Sequence, residues 1–266
     1  MGGAGKGGAT KILIGLWTAT VLVFLYIPMV AVVLASFSQQ RYFRFPISRW
    51  STKWYEKAAE SLSVRDLLTT SLTVAVLVTI FSVVLAFFGA LAFARYDWKG
   101  RKLYQRLVLL PIFFPQAVLG LALLLWFSVL GITTSWHTAV FAHMIWIVPI
   151  VILIMSIQAY SFDPALEEAA FDLGASRWQV LREVTLPILS PGIISGGIFA
   201  FLLSWGNFPL SLFSTGADQT VPEWLYAKMV SGYTPMVPTL GALTMASAAF
   251  LLLLAYLAWL VSKARR

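Results

Sequence analysis

The sequence contains no cysteine, and only 11% of its 266 residues are charged. The absence of cysteine excludes disulfide frameworks, thiolate metal sites and cysteine nucleophiles. A water-soluble domain of this length carries roughly 25% charged residues, so this chain has too few to cover a surface that faces water. Hydrophobic residues make up 59% of the chain and the mean hydropathy is +0.83. The surrounding solvent must therefore be mostly lipid.

Acidic residues are scarcer than basic ones, with eleven Asp and Glu against nineteen Lys and Arg, for a net charge of +8. Such an excess can indicate nucleic-acid binding. In a membrane protein with several spans it more often reflects cytoplasmic loops that are rich in Lys and Arg. We therefore expect no nucleic-acid partner and expect membrane lipid as the surrounding medium.

Six apolar runs are long enough to cross about 30 Å of hydrocarbon, which takes about 20 helical residues. All six must be helices, because a lone strand would leave its backbone groups unpaired in lipid. The first run is too long for the apolar region of a signal peptide and lacks a convincing cleavage site, so we expect it to remain as an anchor. The runs cover approximately residues 12–37, 67–94, 103–130, 138–159, 191–213 and 239–261. The sequence thus predicts an all-α integral membrane protein with tails at 1–11 and 262–266, a six-helix transmembrane domain at 12–261 and, within it, a polar loop at 160–190.

The distribution of Lys and Arg predicts the orientation of these spans. Twelve of the nineteen fall in the two tails, the 95–106 connection and the 160–190 loop, which alternate spans place on one side. The other seven fall on the opposite side, six of them in the connection after the first span. Because cytoplasmic loops carry the excess of positive charge, both termini and the 160–190 loop are expected in the cytoplasm.

Local signals in the 160–190 loop predict a first short helix. Asp163 is a suitable cap, and Pro164 is tolerated at the first helical position because its missing N–H would be unpaired there anyway. Glu168 and Asp172 lie one turn apart on one face. Another face carries an apolar stripe at positions i, i+3, i+4 and i+7, with small residues at its centre, formed by Leu166, Ala169, Ala170 and Leu173.

A second short helix is expected after Gly174, which can end the first one in a left-handed conformation. Ser176 and Gln179 have the spacing of a capping box, in which each side chain bonds the other residue's backbone N–H. Pro187 and Pro191 are expected to stop this second helix before the fifth span.

The charges of this loop favour a protein partner over a lipid surface. Between residues 160 and 190 there are five acidic residues and only two basic ones, Arg177 and Arg182. Helices that rest on anionic headgroups are rich in Lys and Arg, so the headgroups would repel this loop.

The loop also resembles the EAA loop of ABC-importer permeases, whose pattern is EAA-x3-G-x9-I-x-LP. The matching residues are Glu168-Ala169-Ala170, then Gly174, then Val184-x-Leu186-Pro187, with Val184 in place of isoleucine as the one departure. This resemblance implies a type I ABC importer permease fold, and it implies that the first short helix is a coupling helix that docks on an ATP-hydrolysing subunit. The residues expected to carry that contact are Glu167, Glu168, Ala169, Ala170, Asp172, Leu173, Gly174, Ala175 and Arg177.

Motifs outside the loop extend the resemblance over nearly the whole chain, most closely to permeases of polyamine importers. They are Tyr26-Ile27-Pro28, Thr52-Lys53-Trp54-Tyr55, Ser71-Leu72-Thr73, Asp172-Leu173-Gly174-Ala175-Ser176 and Ser214-Thr215-Gly216. The resemblance implies a second permease subunit, two ATP-binding cassette subunits, an extracytoplasmic solute-binding protein and a bacterial inner-membrane location. ATP and Mg are expected on the partner ATPase subunits, and this chain is expected to bind no cofactor.

No enzyme site is evident in the sequence. The N-terminal GGAGKGG lacks the spacing of a phosphate-binding loop, and its match to G-x-G-x-x-G follows no strand. His137 and His143 lie six residues apart and so do not share one helical face as a metal pair would. We expect ordinary hydrogen bonding for both histidines and no metal site.

Polar residues near breaks in the spans are the candidates for a transport path. Gly206 and Pro209 loosen the fifth span around Ser204, Trp205 and Asn207. In the third span, Pro115 interrupts the helix next to Gln116. A stripe of small residues precedes the first break and allows close helix packing, either within this chain or with another subunit; it is formed by Gly192, Gly196, Ala200 and Ser204.

The charges within the predicted spans bear on the class of solute. Polyamine is the first expectation, yet no acidic residue lies inside a predicted span to attract a polycation. A choline-like, amino-acid-like or zwitterionic solute is therefore the alternative, unless a partner permease supplies the charge. A secondary transporter driven by an ion gradient is the alternative of another class, and it would call for intramembrane carboxylates or inverted repeats.

Overall fold

A computed structural model of the protein describes residues 4–42 and 44–264. Within these residues the regular structure is helical, apart from one isolated antiparallel bridge between Ser38 and Trp50. The α-helices are α1 (Ala4–Ser36), α2 (Lys53–Glu60), α3 (Leu62–Ala90), α4 (Arg101–Leu109), α5 (Gln116–Val129), α6 (Trp136–Ser161), α7 (Ala165–Asp172), α8 (Arg177–Val180), α9 (Leu186–Trp205), α10 (Pro209–Ser214), α11 (Val221–Ser231) and α12 (Met236–Ala264). Two π-helical segments, Leu91–Arg95 and Leu181–Thr185, and one 3₁₀ segment, Leu110–Phe113, join some of them.

Five helices are long and apolar enough to cross a membrane, and a bent pair brings the number of possible spans to six. The five cover Thr10–Ser36, Leu62–Arg95, Trp136–Ser161, Arg177–Trp205 and Met236–Leu257. The all-α, multi-span architecture predicted from composition is confirmed. Helix α1 begins at Ala4, inside the predicted tail, and α2 and α11 are additional helices in the connections between spans.

The bent pair coincides with the predicted third span, and its break lies at the predicted proline. Arg101–Phe113 and Gln116–Val129 meet at an angle of 99°. Phe114 has extended backbone angles, φ −81° and ψ 135°, as expected of a residue that precedes a proline. Pro115 is extended as well and cannot donate a backbone hydrogen bond, so the helix restarts at Gln116.

The prediction that Pro187 and Pro191 stop the helix before the fifth span is wrong. The helix runs without interruption from Arg177 to Trp205, through the π-helical segment Leu181–Thr185. A proline displaces the hydrogen bond to the carbonyl four residues earlier, which for Pro191 is the carbonyl of Pro187. Here the Ser190 hydroxyl donates to that carbonyl at 2.8 Å, so the lost backbone bond is replaced. Neighbouring hydroxyl groups commonly rescue prolines in this way in membrane helices.

Residues 65–224 and 250–266 form one compact unit, whose core lies mainly between α3, α6 and α9. The small-residue stripe of α9 packs against α6 of this same chain. An added Cβ at Gly196 would lie 2.9 Å from Val151 Cγ1, and one at Gly192 would lie 3.2 Å from Gln158 Cβ. This close approach settles the two readings of the stripe in favour of packing within the chain.

The other compact unit comprises residues 1–64 and 225–249. The bridge between Ser38 and Trp50 closes the loop after α1. The Tyr55 hydroxyl of α2 lies 2.6 Å from the Ser36 hydroxyl at the end of α1. These contacts fix α2 against the end of the first span within this unit.

Candidate coupling loop and transport path

The first short helix of the 160–190 loop, α7, has the predicted local structure. The Asp163 carboxylate accepts the Ala165 N–H at 3.0 Å. At the other end Gly174 has φ +86°, the left-handed conformation expected there. Its N–H donates to the Phe171 carbonyl at 2.9 Å, and the Ala175 N–H donates to the Ala170 carbonyl at 3.0 Å. The chain reverses at Gly174 because these two bonds satisfy the last carbonyls of α7.

The predicted capping box at the start of α8 is also confirmed. The Gln179 N–H donates to Ser176 Oγ at 3.4 Å, and the Ser176 N–H donates to Gln179 Oε1 at 2.8 Å. Since α8 is continuous with α9, this cap begins a membrane-spanning helix. The loop is therefore built into the start of the fifth span.

The predicted stripe on α7 is accessible to a partner. Leu173 is 90% exposed and Leu166 is 49% exposed, while Ala169 is exposed between them. Glu168 and Asp172 are exposed as well. An apolar surface with two acidic groups beside it is thus left uncovered by the rest of the described chain.

Glu167 points the other way and anchors α7 to two spans. Its Oε2 accepts a charge-assisted hydrogen bond from Arg95 Nη2 at 2.7 Å, and its Oε1 accepts the Thr185 hydroxyl at 2.5 Å. Arg95 ends the π-helical extension of α3, and Thr185 ends the π-helical segment before α9. The side chains of this ion pair, Arg95 and Glu167, are 7% and 17% exposed.

Arg95 is further fixed by Phe162, at the end of α6. Its guanidinium lies 3.9 Å from the centre of the Phe162 ring and donates to the Phe162 carbonyl at 3.4 Å. A cavity of about 550 Å³ opens beside this junction, and its lining includes Tyr96, Phe171 and Arg177. This pairing could not be predicted from the sequence, because Arg95 and Glu167 are 72 residues apart.

The candidate path residues Ser204 and Asn207 lie in a buried polar cluster around the break between α9 and α10. His143 of α6 is fully buried, with Nδ1 2.9 Å from Ser204 Oγ and Nε2 3.1 Å from Ser211 Oγ. The Ser211 hydroxyl donates its hydrogen to the Asn207 carbonyl at 2.7 Å, so its oxygen accepts from His143 Nε2. The other ring nitrogen, Nδ1, is then assigned as the acceptor from the Ser204 hydroxyl. Asn207 Oδ1 accepts the Leu210 N–H at 3.0 Å and thereby caps α10. The predicted hydrogen-bonding role of His143 is confirmed.

The two other candidate path residues, Trp205 and Gln116, lie next to the two breaks. Trp205 is 9% exposed, and its ring stacks on Phe201 with centroids 5.8 Å apart. Gln116 starts α5 after the break and is half-buried. Helix α5 does approach α10 closely, since a Cβ added at Gly120 would lie 3.2 Å from the Pro209 carbonyl. The two broken spans therefore meet near their breaks.

A buried carboxyl group beyond α10 was not predicted. Glu223, on α11, is 7% exposed and its Oε2 accepts the Thr215 hydroxyl at 2.6 Å and the Thr220 N–H at 3.4 Å. Burial raises the pKa of the Glu223 carboxyl, against the lowering effect of these two hydrogen bonds. The spacing Thr220-x-x-Glu223 is that of a capping box, which the sequence could have revealed.

Within the described residues no group of three or more His, Asp or Glu side chains is arranged to hold a metal ion. Asp218 serves a structural purpose, since its carboxylate accepts the Trp136 N–H at the start of α6. The site consists of a loop that presents one face outward and a polar break between spans.

Comparison with known proteins shows the family to which the chain belongs. The profile of a family described as "Binding-protein-dependent transport system inner membrane component" matches residues 82–266. The spermidine/putrescine transport system permease protein PotC of Escherichia coli (strain K12) is 29% identical over 234 residues, which cover 88% of each chain. The putrescine transport system permease protein PotI of the same strain is 28% identical over 244 residues, or 89% of this chain and 85% of PotI.

A solved structure is similar over nearly the whole chain. It is a bacterial alginate ABC transporter in complex with an alginate pentasaccharide-bound periplasmic protein. The match has a TM-score of 0.69 at 20% identity and covers 93% of each chain. At that identity the likeness concerns the fold, and it agrees with the expected type I ABC importer permease architecture.

Proposed function

The chain belongs to the family of binding-protein-dependent transport system inner membrane components, and we propose that it is one permease half of an ATP-driven importer. It forms a path for a small organic solute, and α7 transmits to its spans the motion that ATP hydrolysis drives in the partner subunits. The hydrolysis itself takes place on partner subunits. This chain is accordingly a transport subunit and not an enzyme.

The observation that carries this proposal is the geometry of the 160–190 loop. The face of α7 with Ala169, Leu173 and Glu168 is open to a partner, while Glu167 on the opposite face is bonded to Arg95 and Thr185. A force applied to the open face would therefore reach both α3 and α9. The remaining loop residues expected at the contact lie around the turn at Gly174: Asp172 and Arg177 are exposed, and Ala175 is half-exposed.

Transport then follows as a switch between two packed arrangements, each favoured by a different ligand. Closure of the ATPase subunits moves α7, and α7 carries α3 and α9 with it. Because α9 packs closely on α6 at Gly196, these helices move together. The break around Asn207 and the bend at Pro115 are the points at which the backbone can change direction with the fewest broken hydrogen bonds.

The proposed partners are a second permease subunit, two ATP-binding cassette subunits that hold ATP and Mg, and an extracytoplasmic solute-binding protein. The periplasmic protein in the similar alginate transporter supports the last of these. The proposed location is the bacterial inner membrane.

For the solute we propose a polyamine, because PotC and PotI are named for spermidine and putrescine transport. A zwitterionic, choline-like or amino-acid-like solute is the second candidate. It is favoured by the cluster around Asn207, whose hydrogen-bonding groups on His143, Ser204 and Ser211 are all neutral. Uptake of labelled spermidine, choline and amino acids by cells with and without this chain separates the candidates. Spermidine uptake that is unchanged by deletion of the chain would exclude the first.

The proposed orientation has both termini in the cytoplasm. Because the chain has no cysteine of its own, single cysteines can report on it directly. Arg44→Cys and Lys99→Cys both replace exposed basic residues. In sealed right-side-out vesicles a membrane-impermeant maleimide should label the first and not the second, and the reverse pattern would invert the assignment.

The coupling role is tested by Gly174→Val, with Gly131→Val as its control. Both glycines have positive φ, +86° and +69°, and a Cβ at either would meet nothing within 4 Å. Valine in a left-handed conformation costs at least 1–2 kcal/mol at either position, so the two variants carry similar backbone strain. The two glycines flank opposite ends of α6, whose 26 residues span about 39 Å.

Native chain, Gly174→Val and Gly131→Val are purified in mild detergent, and ATP hydrolysis that copurifies is measured together with uptake in cells. We expect Gly174→Val to lose the copurifying activity or its link to uptake, and Gly131→Val to keep the copurifying activity. Equal behaviour of the two variants would reject the coupling role of the Gly174 turn. Uptake that survives ATP depletion, with no ATPase in the preparation, would instead favour a transporter driven by an ion gradient.

A further inference from the structure

A cavity on the surface of α4 combines positive charge with apolar walls. It has a volume of about 450 Å³, within the range in which proteins bind small molecules. Its lining consists of Phe93, Lys102, Gln105, Arg106, Leu109 and Phe113. None of these residues belongs to the proposed path or to the coupling loop, so the cavity needs an explanation of its own.

Two of the basic residues in this region have no anionic partner within the described chain. Arg101 already has hydrogen-bond partners within the chain. Its Nε and Nη2 donate to the carbonyls of Phe93 and Ala94 at 3.0 Å each and so cap the end of the π-helical extension of α3. Lys102 and Arg106 are both exposed, and no salt bridge joins either one to a described carboxylate. One helical turn apart, they point two positive charges at one opening.

Gln105 closes the inner side of the cavity in a fixed position. Its Nε2 donates to the Phe93 carbonyl at 2.6 Å and lies 3.4 Å from the Tyr160 hydroxyl. An adjoining cavity of about 470 Å³ shares Lys102 and Gln105, and Asp97 is the one carboxylate that lines either cavity. The charge around the shared wall is therefore predominantly positive.

The lining of the cavity is basic at the start of the helix and apolar further along it. Lys102 and Arg106 lie at its start, and Leu109 and Phe113 continue the same stripe at the next turns; Phe113 is 80% exposed. From residue 102 to residue 113 the chain rises by about 18 Å, because the 3₁₀ segment Leu110–Phe113 rises more per residue than α4 does. These residues belong to the bent pair that can form one membrane span. In the proposed orientation, Lys102 and Arg106 lie at the headgroups and Leu109 and Phe113 lie toward the hydrocarbon.

We propose that this cavity binds an anionic glycerophospholipid, with the phosphate between Lys102 and Arg106 and an acyl chain along Leu109 and Phe113. The order of charged and then apolar groups along one stripe matches the order of groups in such a lipid. A free phosphate would need only the charged end, and would leave Phe113 exposed. Basic pockets at the cytoplasmic ends of membrane helices recognise anionic headgroups by the same chemistry, and the proposed orientation places α4 at that side.

The test measures lipid binding to the purified full-length chain, with whatever subunits accompany it, by native mass spectrometry. Phosphatidylglycerol and phosphatidylcholine with identical acyl chains are titrated separately, so that only the headgroup differs. The variants are the pair Lys102→Gln with Arg106→Gln, and a matched pair, Lys11→Gln with Arg182→Gln. The matched pair removes the same charge from exposed positions outside the cavity.

We expect the native chain to prefer phosphatidylglycerol, and the cavity pair of substitutions to weaken that binding about 25-fold, or roughly fivefold for each charge removed. The matched pair should change it by less than about twofold. The charge-preserving pair Lys102→Arg with Arg106→Lys should keep the binding, which separates lost charge from misfolding.

Three results would overturn the proposal. The cavity variants could bind phosphatidylglycerol as well as the matched variants do, which would make the attraction a general charge effect. Inorganic phosphate could displace the lipid completely, which would indicate a free-anion site. Phosphatidylcholine could bind equally well, which would indicate apolar contact alone. Each outcome is read from lipid binding, so it leaves the proposed transport function untouched.

Discussion

Replacement of Glu167 by glutamine should loosen the 160–190 loop from the spans that it joins. The substitution keeps the shape of the side chain and removes the charge that faces Arg95. At 2.7 Å and an effective dielectric constant of 20, the attraction is about 6 kcal/mol before the cost of desolvating both ions is subtracted. Breaking a buried pair by removing one partner costs 3–5 kcal/mol in measured cases.

The expected loss is near the lower end, about 3 kcal/mol, because Arg95 keeps its contacts with the carbonyl and ring of Phe162. The neighbouring Glu168→Gln provides a matched control: it removes the same charge from an exposed side chain that has no ion pair within 4.0 Å among the described residues. Surface charges of this kind contribute about 0–1 kcal/mol to stability.

Thermal unfolding of the two variants in the same detergent compares these effects, with Arg95→Gln and the double variant completing a mutant cycle. We expect Glu167→Gln to unfold several degrees below Glu168→Gln, and the double variant to be less impaired than the sum of its single changes. Equal unfolding temperatures for Glu167→Gln and Glu168→Gln would refute the reasoning. A strictly additive cycle would show that the ion pair contributes nothing beyond its separate residues.

Three further predictions follow from other contacts. Gly196→Ala should lower thermal stability by about 1–3 kcal/mol, since its Cβ would lie 2.9 Å from Val151 Cγ1. Gly197→Ala should not, because the nearest neighbour of its Cβ would be 3.5 Å away. Equal unfolding temperatures for the two variants would contradict the close packing at Gly196. His143→Leu should cost about 1–3 kcal/mol, because the buried Ser204 hydroxyl loses its bond to His143, whereas the Ser211 hydroxyl keeps its bond to the Asn207 carbonyl. The substitution should also reduce uptake, and wild-type uptake would exclude a role for this cluster in the path. Because burial raises the pKa of the Glu223 carboxyl in the folded protein, its contribution to stability is greatest below the unfolded-state pKa and falls as pH rises through the folded-state pKa. Unfolding temperatures measured from pH 4 to 8 should therefore fall less in Glu223→Gln than in the native chain. Identical pH profiles would contradict this.

Local features of the loop could be predicted because their causes are local. The left-handed turn needs only Gly174 at the end of an amphipathic stripe, and the capping box needs only Ser176 and Gln179 three residues apart. The bend at Pro115 follows from the missing N–H of one residue. The continuation of the helix through Pro191 was missed, since it depends on the Ser190 hydroxyl replacing a backbone hydrogen bond.

The sequence by itself determined the solvent, the number of apolar spans and the site of the exposed loop, because the length and composition of each run decide whether it can cross lipid. Only the tertiary structure decided which acidic residue holds the loop in place. Glu167 and Glu168 are adjacent and chemically alike, but a helix turns about 100° between neighbours. One of them therefore faces Arg95, which the sequence places 72 residues away, and the other faces outward. The same holds for His143, whose two serine partners come together only when α6 packs against the break between α9 and α10.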